Sequence, residues 1–215
     1  MAESDSSGAS ETTRVEAFSD GIFAIAITLL VLEIRVPPAE LTGHGSTLLP
    51  ALLRLWPSYL GYLISFITIG IMWVNHHSMF VMIRRIDRYF LLLSVLFLMS
   101  IAFLPFTTAV LAEYLSEPKG REIAVASYSA TFVLIALAYN AVWWYAARGG
   151  RLLDEKADLE AVRTISRRYF IGPTAYAVSF ALAFVNAWAS LAVHGFLAAF
   201  YVLPVRKPTP RRPAI

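Results

Sequence analysis

The sequence comprises 215 residues, of which 58% are hydrophobic and only 15% are charged, and its formal net charge is +3. Soluble domains usually carry about a quarter charged residues, so this composition excludes an ordinary soluble fold and predicts an integral membrane protein. The chain has no cysteine, which excludes disulfides, thiolate metal sites and cysteine nucleophiles. Positively charged cytoplasmic loops explain the basic balance better than a nucleic acid partner does.

Six apolar segments can be marked, and several of them approach or exceed the roughly 20 residues with which a helix spans a bilayer. They follow an acidic, Ser-rich stretch, residues 1–13, for which we predict a disordered tail. The first four run over about 17–34, 59–83, 89–115 and 122–147. Residues 151–168 are polar and are predicted to form a cytoplasmic helix or linker. The remaining apolar region, 169–205, is too long for one span, so we divide it near Asn186 into two short helices that turn back on each other.

The distribution of lysine and arginine sets the predicted orientation. With both termini in the cytoplasm, most of these residues fall in cytoplasmic segments, as the positive-inside rule requires. Five spans would instead place the basic residues 206–215 outside. We therefore predict an all-α membrane protein with six transmembrane helices within residues 14–205 and a basic cytoplasmic tail over residues 206–215.

The start of the first apolar segment is acidic. Glu16 and Asp20 lie one helical turn apart, and a carboxylate at a membrane helix is costly enough to be a functional-site hypothesis by default. The alternative is that Ser19 and Asp20 open the helix at the interface, where water tolerates their polarity. Position along the chain leaves both interpretations open.

Farther along the first helix, four side chains share one face: Ile25, Thr28, Leu29 and Leu32. Their spacing of i, i+3, i+4 and i+7 is typical of a helical face. Apolar constrictions of this kind can gate a pore by dewetting, whereas leucines facing lipid or the protein core would show the same spacing. Every other face of this helix is apolar too, so periodicity does not choose between these interpretations.

The second segment contains the polar cluster WVNHH. Trp73 and His77 are four residues apart and share a helical face, whereas the adjacent His76 and His77 point about 100° apart and make a poor chelating pair. No further ligand nearby in the sequence completes a zinc site, so we predict a structural polar lock rather than a metal site. Hydrocarbon offers no hydrogen bonds, so these side chains need protein partners. The expected partners open the first helix: Arg14, Ser19 and Asp20.

Motifs for catalysis are missing from the sequence. It contains no glycine-rich phosphate loop, no nucleophile elbow and no pair of carboxylates at glycosidase-like spacing. It also lacks a TVGYG-type carbonyl filter and a voltage-sensor helix with four arginines. We therefore expect neither an enzyme nor a cofactor-binding protein.

The sequence RVEAFSDG at residues 14–21, followed closely by FAIAITLLVLEI, resembles the first-helix signature of the transmembrane protein 175 family. This family comprises the lysosomal potassium channel of animals and its prokaryotic relatives. The WVNHH cluster of the second helix resembles the family pattern as well. The length and the six expected spans match the single-repeat prokaryotic form, which implies a multi-pass protein of a prokaryotic cell membrane.

The resemblance implies a homotetramer in which the first helix of each subunit lines a central pore that has no carbonyl filter. The constriction would then fall on Ile25, five residues after Asp20, with Leu29 and Leu32 as further rings. Thr28 lies beside this line and offers a hydroxyl to a partly hydrated cation. The expected function is a potassium-permeable cation channel. Its expected partners are further copies of the chain, membrane lipids and monovalent cations, with K⁺ in the pore and no cofactor.

The same resemblance assigns five residues to a polar network between the first and second helices: Arg14, Ser19, Asp20, Trp73 and His77. We interpret this network as structural, holding the pore helix at a fixed rotation. Two alternatives to a channel remain. A secondary transporter would need paired ionisable groups at the middle of the membrane, and a non-conducting scaffold would leave the first-helix motif unexplained.

Overall fold

The computed structural model describes residues 2–38, 48–154 and 159–202. Within these ranges the chain forms helices and one isolated antiparallel β-bridge. The helices are α1 (Ala2–Leu29), α2 (Leu48–Arg54), α3 (Trp56–Phe80), α4 (Arg88–Tyr114), α5 (Arg121–Ala147), α6 (Leu159–Tyr169), α7 (Ile171–Ala183) and α8 (Ala187–Val202). A 3-10 turn over Leu30–Glu33 continues α1. The predicted all-α fold is confirmed for the described residues.

Four of the described helices are long and apolar enough to cross a membrane: Glu11–Glu33, Trp56–Phe80, Arg88–Tyr114 and Arg121–Gly150. They coincide with the first four segments predicted from the sequence. Pro57 lies in the first turn of α3, where its fixed φ suits a helix start and its missing N–H costs nothing. The described residues therefore have the architecture of a multi-pass membrane protein.

Two shorter helices, α7 and α8, form a hairpin that divides at Asn186. The side-chain oxygen of Asn186 accepts hydrogen bonds from the N–H groups of Trp188 and Ala189, at 3.0 and 3.1 Å, and so caps the start of α8. The predicted division near Asn186 is confirmed. With 13 and 16 residues, α7 and α8 extend about 20 and 24 Å, which is less than the roughly 30 Å of a hydrocarbon core. A total of six spans therefore stays a prediction.

Helices α4 and α5 form the centre of the bundle. Their almost completely buried side chains include Phe97, Ile101, Leu104, Tyr128, Phe132 and Ile135. Polar groups in this core bind one another: the hydroxyl of Ser65 on α3 lies 2.9 Å from both Thr108 Oγ1 and the Tyr128 hydroxyl. Because hydrocarbon offers no alternative partner, these hydroxyls fix the relative rotation of α3, α4 and α5.

The α3–α4 connection pairs through its backbone with the segment that follows α5. The N–H of Arg84 donates to the oxygen of Leu152 at 2.8 Å, and the N–H of Asp154 donates to the oxygen of Met82 at 3.2 Å. The chain can turn back after α5 because the Gly149–Gly150 pair adopts φ values of 68° and 67°, which side chains disfavour. The two connections thus form one unit at this end of the bundle.

Asp87 fastens the start of α4 to the end of α5. Its Oδ1 accepts a hydrogen bond from the N–H of Phe90 at 2.9 Å, which caps α4, and its Oδ2 accepts one from the hydroxyl of Tyr145 at 2.7 Å. Burial raises the pKa of Asp87, but these hydrogen bonds outweigh it and hold the pKa below its ordinary value. The charged carboxylate is therefore the form that the fold favours.

The structure differs from the sequence prediction at the N-terminus. A disordered tail is predicted for residues 1–13, whereas α1 begins at Ala2 and runs without a break through Arg14. A helix that is already nucleated by a packed segment extends at little cost per residue, which accounts for the longer helix. The predicted basic tail, residues 206–215, lies outside the described residues, and the limits of the transmembrane domain, 14–205, stay a prediction.

Candidate functional site

One face of α1 is packed inside the protomer. Four of its residues are at most 1% exposed: Ser19, Phe23, Ala26 and Leu30. Their spacing is that of a single helical face. The ring of Phe23 lies edge-on to that of His76 on α3, with the ring centroids 5.4 Å apart. Because full burial of such a side chain stabilises by about 1.5–3 kcal/mol, this face sets the rotation of α1 against its neighbours.

The opposite face of α1 is exposed in the protomer. Ile25, Leu29 and Leu32 are 56%, 41% and 68% exposed. Thr28 is exposed beside them, and its hydroxyl donates to the backbone oxygen of Ile25 at 2.9 Å. These four residues, which we call the α1 stripe, are the ones for which the family resemblance implies a pore-facing position. The periodicity of the sequence could not show which face of α1 is buried, whereas the packing of the helices shows it.

Two polar contacts join α1 to α3. The indole Nε1 of Trp73 donates to Asp20 Oδ1 at 2.8 Å, and His77 Nδ1 lies 2.7 Å from Glu16 Oε1. The two carboxylates are four residues apart on α1, and the two aromatic residues are four apart on α3, so the contacts lie one helical turn from each other. We call these contacts the two rungs. Their order shows that α1 and α3 run antiparallel.

Both rungs lie toward the surface of the bundle. The side chains of His77 and Glu16 are 62% and 25% exposed, and Trp73 is 44% exposed. A polar contact so accessible to water stabilises by at most about 0.2–1 kcal/mol, the range for exposed ion pairs, because water competes for both groups. The rungs therefore orient α1, while the buried face contributes more to the stability of the fold.

Two residues of the predicted network do not reach the rungs. Ser19 is fully buried, and its hydroxyl donates to the backbone oxygen of Val15 within α1, at 2.9 Å. Arg14 is exposed and has no hydrogen bond or ion pair with the described residues. Its side chain borders a cavity of about 620 Å³ between the middle of α1 and the first half of α4, which Asp87 also lines. Of the five predicted members, the structure joins Asp20 with Trp73 and places His77 one turn away.

The partner of His77 is Glu16, which the sequence interpretation left out of the network. The signal for it is present in the sequence. Glu16 and Asp20 have the same four-residue spacing as Trp73 and His77, and two antiparallel helices with matched spacings can pair at both positions. Without knowledge of which residue of α1 faces which residue of α3, the chain offered Arg14 and Ser19 as equally good candidates.

The two adjacent histidines lie in different surroundings. His77 is on the exposed side of α3, whereas His76 is 1% exposed and its ring stacks on Phe80 at 4.5 Å and on Phe97 at 5.8 Å between centroids. Its Nδ1 has no hydrogen-bond partner among the described residues. Within the same ranges no three His, Cys, Asp or Glu side chains are grouped as a metal ion would require.

Comparison with known proteins places these residues in a family. A family model described as the endosomal/lysosomal potassium channel TMEM175 matches residues 14–105, which contain α1 from Arg14 onward, α2, α3 and the first two thirds of α4. A potassium channel of Streptomyces collinus is 49% identical over 191 residues, which cover 89% of this chain and 91% of that protein. A potassium channel of Chamaesiphon minutus is 48% identical over 194 residues, with 90% and 95% covered.

A solved structure agrees with this assignment. The crystal structure described as a lysosomal potassium-selective channel TMEM175 homologue from Chamaesiphon minutus superposes with a TM-score of 0.81 at 45% identity, covering 89% of this chain and 96% of that one. Similarity in sequence and in fold thus extends over nearly the whole length of both chains. The chain belongs to the TMEM175 family of ion channels.

Proposed function

We propose that this chain is one subunit of a homotetrameric, potassium-permeable cation channel in which α1 lines the pore. The observation that carries the proposal is the α1 stripe, whose three large apolar side chains are left exposed by a helix whose other face is tightly packed. Large exposed apolar patches mark interaction or membrane surfaces. Four copies of such a stripe around a central axis would bury it and enclose a narrow path.

The chemistry of the stripe suits a gate made of apolar rings. Four Ile25 side chains at one level form a constriction that excludes water when narrow and admits a hydrated ion when wider, with Leu29 and Leu32 as further rings. Thr28 adds polarity beside these rings. Because its hydroxyl hydrogen is engaged by the oxygen of Ile25, the lone pairs of Thr28 Oγ1 are free to accept a passing cation. No carbonyl filter is involved in this proposal.

The two rungs supply the rotational control that such a pore needs. Successive side chains of a helix point about 100° apart. A rotation of α1 by only part of this angle would therefore turn Ile25 away from the central axis of the pore. Asp20 and Glu16 hold α1 to α3 on a side that leaves the α1 stripe free. We assign these contacts a positioning role. Arg14 and Ser19, also expected in this network, would act through the fold of α1 itself.

The membrane arrangement completes the proposal. We place the channel in the cell membrane of a prokaryote, with both termini in the cytoplasm and with lipids and monovalent cations as its partners. The hairpin of α7 and α8 supplies the fifth and sixth spans, thinning the local bilayer to match their length. The polar stretch that contains α6 then lies on the cytoplasmic side, together with the connections before α4 and after α5.

The test is single-channel recording of the purified protein in planar bilayers under potassium and sodium gradients. The variant is Ile25→Asn, and the matched control is Val31→Asn, which changes a residue that is 50% exposed on another side of the same helical segment. We expect discrete openings whose conductance or selectivity changes in Ile25→Asn and not in Val31→Asn. Equal effects of both variants would remove Ile25 from the pore. Silent bilayers from folded protein, or flux that saturates like a carrier, would contradict the channel.

A further inference from the structure

A cavity of about 430 Å³ lies between α3, α5, α7 and α8, away from the rungs and the α1 stripe. Its volume falls within the range of about 300–1,000 Å³ that is usual for ligand sites. It extends from Thr68, in the middle of α3, to Met82, in the connection after α3. The cavity therefore runs lengthwise through the half of the bundle that carries the paired connections around α4 and α5.

The walls of the cavity change in character along its length. Deep in the bundle Thr68 lies among the apolar and aromatic side chains of Ile71, Tyr176 and Leu197, and Asn75 and Asn140 add polar groups to the walls. Toward the end of the bundle the lining includes Arg168, at the end of α6, and Tyr201, near the end of α8. Both of these residues are exposed, and Arg168 has no ion pair with any of the described residues. The deep end of the cavity is thus mainly apolar, and the other end presents a guanidinium that no described residue neutralises.

The junction of α6 and α7 holds this cavity open. Pro173 has no N–H, so the carbonyl of Tyr169, four residues earlier, lacks its helical donor. Asn140 of α5 replaces that donor: its Nδ2 lies 3.0 Å from the oxygen of Tyr169 and 2.8 Å from that of Ala136. Gly172 lines the cavity, and a Cβ built there would meet nothing within 4 Å. The hydrogen bond from Asn140 therefore fixes the junction, and the absence of a side chain at Gly172 leaves the space beside it open.

We propose that this cavity binds an acidic phospholipid, with one acyl chain between α3 and α7 and the phosphate on Arg168. Charge complementarity and the position of Arg168 at the mouth of the cavity favour this occupant. A guanidinium at the membrane surface binds a phosphate through paired N–H groups, and an apolar slot directly beneath it accepts a hydrocarbon chain. The amphipathic helix α6, with Val162 buried and Arg163, Arg167 and Arg168 in its sequence, lies where lipid headgroups would be.

The same site offers a route by which lipid would reach the pore, and this extension rests on the proposed function. Met72 and Asn75 line the cavity on α3, and they neighbour Trp73 and His76, which contact α1. The hydroxyl of Tyr139 fixes this part of α3 by donating to the backbone oxygen of Asn75 at 3.0 Å. An acyl chain in the cavity would stiffen α3 behind the rungs and favour one rotation of α1.

The experiment is native mass spectrometry of the full-length protein in detergent, with added dioleoyl phosphatidylglycerol or dioleoyl phosphatidylcholine. Arg168→Gln removes the charge at the mouth of the cavity, and Gly172→Leu fills its interior at a position with room for a side chain. Arg163→Gln removes an exposed charge from the same helix without touching the cavity and serves as the control. Circular dichroism and gel filtration confirm that each variant is folded.

We expect the wild type and Arg163→Gln to retain phosphatidylglycerol in preference to phosphatidylcholine. Arg168→Gln should lose about tenfold in affinity for phosphatidylglycerol, the effect of one charge-assisted contact, and Gly172→Leu should lose both lipids. If Arg163→Gln and Arg168→Gln lose the same affinity for phosphatidylglycerol, the lipid is attracted to the basic charge of α6 in general, and the specific site is overturned. Retention of either lipid by Gly172→Leu would also overturn the proposed site. So would the finding that a second copy of the chain, rather than lipid, covers the cavity. Lipid retention is read without conduction, so silent bilayers would refute the channel and leave this result standing.

Discussion

The indole nitrogen of Trp73 and the carboxylate of Asp20 lie 2.8 Å apart and join α3 to α1 by a directed hydrogen bond. An indole offers a single donor whose direction is fixed by its ring, and an ionised carboxylate is a strong acceptor. The contact therefore adds a directional constraint to the rotation of α1 that its buried apolar face sets. Its removal should affect the behaviour of α1 before it affects the fold.

Trp73→Phe keeps the aromatic surface and removes only the donor. We expect a loss of about 1 kcal/mol in stability and a lower open probability, with an unchanged ratio of potassium to sodium permeability. Thermal unfolding in detergent and single-channel recording measure the two effects. Trp144→Phe is the matched control, since the indole N–H of Trp144 makes no hydrogen bond within the described residues. A shifted permeability ratio in Trp73→Phe would contradict a positioning role.

Glu16 and His77 form the second rung, and a double-mutant cycle measures their coupling. We expect Glu16→Gln and His77→Gln each to destabilise the protein slightly, with a coupling of about 0.3–1 kcal/mol that shrinks as salt is raised wherever His77 is protonated, since the pair is exposed. Chemical or thermal unfolding at low and high ionic strength gives the free energy of unfolding of the wild type, the two single variants and the double variant. Strictly additive effects at low salt would mean that this contact does not exist in solution.

Asp87→Ala should cost about 1 kcal/mol, because α4 loses its N-terminal cap and Tyr145 loses its acceptor. Asp87→Asn retains a capping oxygen and should cost less. The pKa of Asp87 is lowered in the fold, so its charge stabilises fully above about pH 4 and this contribution disappears as pH falls through the lowered pKa. The difference in melting temperature between wild type and Asp87→Asn should therefore narrow on acidification. A gap that widens at low pH would contradict the assignment.

Asn140→Ala leaves the carbonyl of Tyr169 without a donor, which should cost about 1–3 kcal/mol at a partly buried site. Pro173→Ala restores the N–H that the helix lacks at this point. In the Pro173→Ala background, Asn140→Ala should therefore be clearly less damaging, and thermal unfolding of the four proteins tests this. If Asn140→Ala costs the same in both backgrounds, the asparagine does not substitute for the missing backbone donor.

Local features of the sequence predicted much of the fold. The first four spans follow from the length of the apolar runs, and the division of the last region near Asn186 follows from its being too long for one span. The extent of α1 upstream of Arg14 could not be predicted this way, because composition favours disorder there and the packed part of the same helix overrides it.

The candidate site was less accessible from the sequence, for a physical reason. The faces of α1 are all apolar, so only packing could show that Phe23 is inside and Ile25 outside. The partner of His77 depends on the register between two antiparallel helices, which is a tertiary property. The need of polar side chains for protein partners therefore indicated a polar contact between α1 and α3, while Glu16 could be chosen over Ser19 only with both helices in place.

The two rungs respond differently to two kinds of motion. A slide of α1 by one turn, about 5.4 Å, would bring Asp20 opposite His77, so that one of the two contacts is exchanged rather than lost. A rotation of α1 in place would carry Glu16 and Asp20 away from α3 together and break both. Sliding of α1 along its axis therefore costs fewer polar contacts than rotation of α1 about its axis, and the interface resists rotation more strongly.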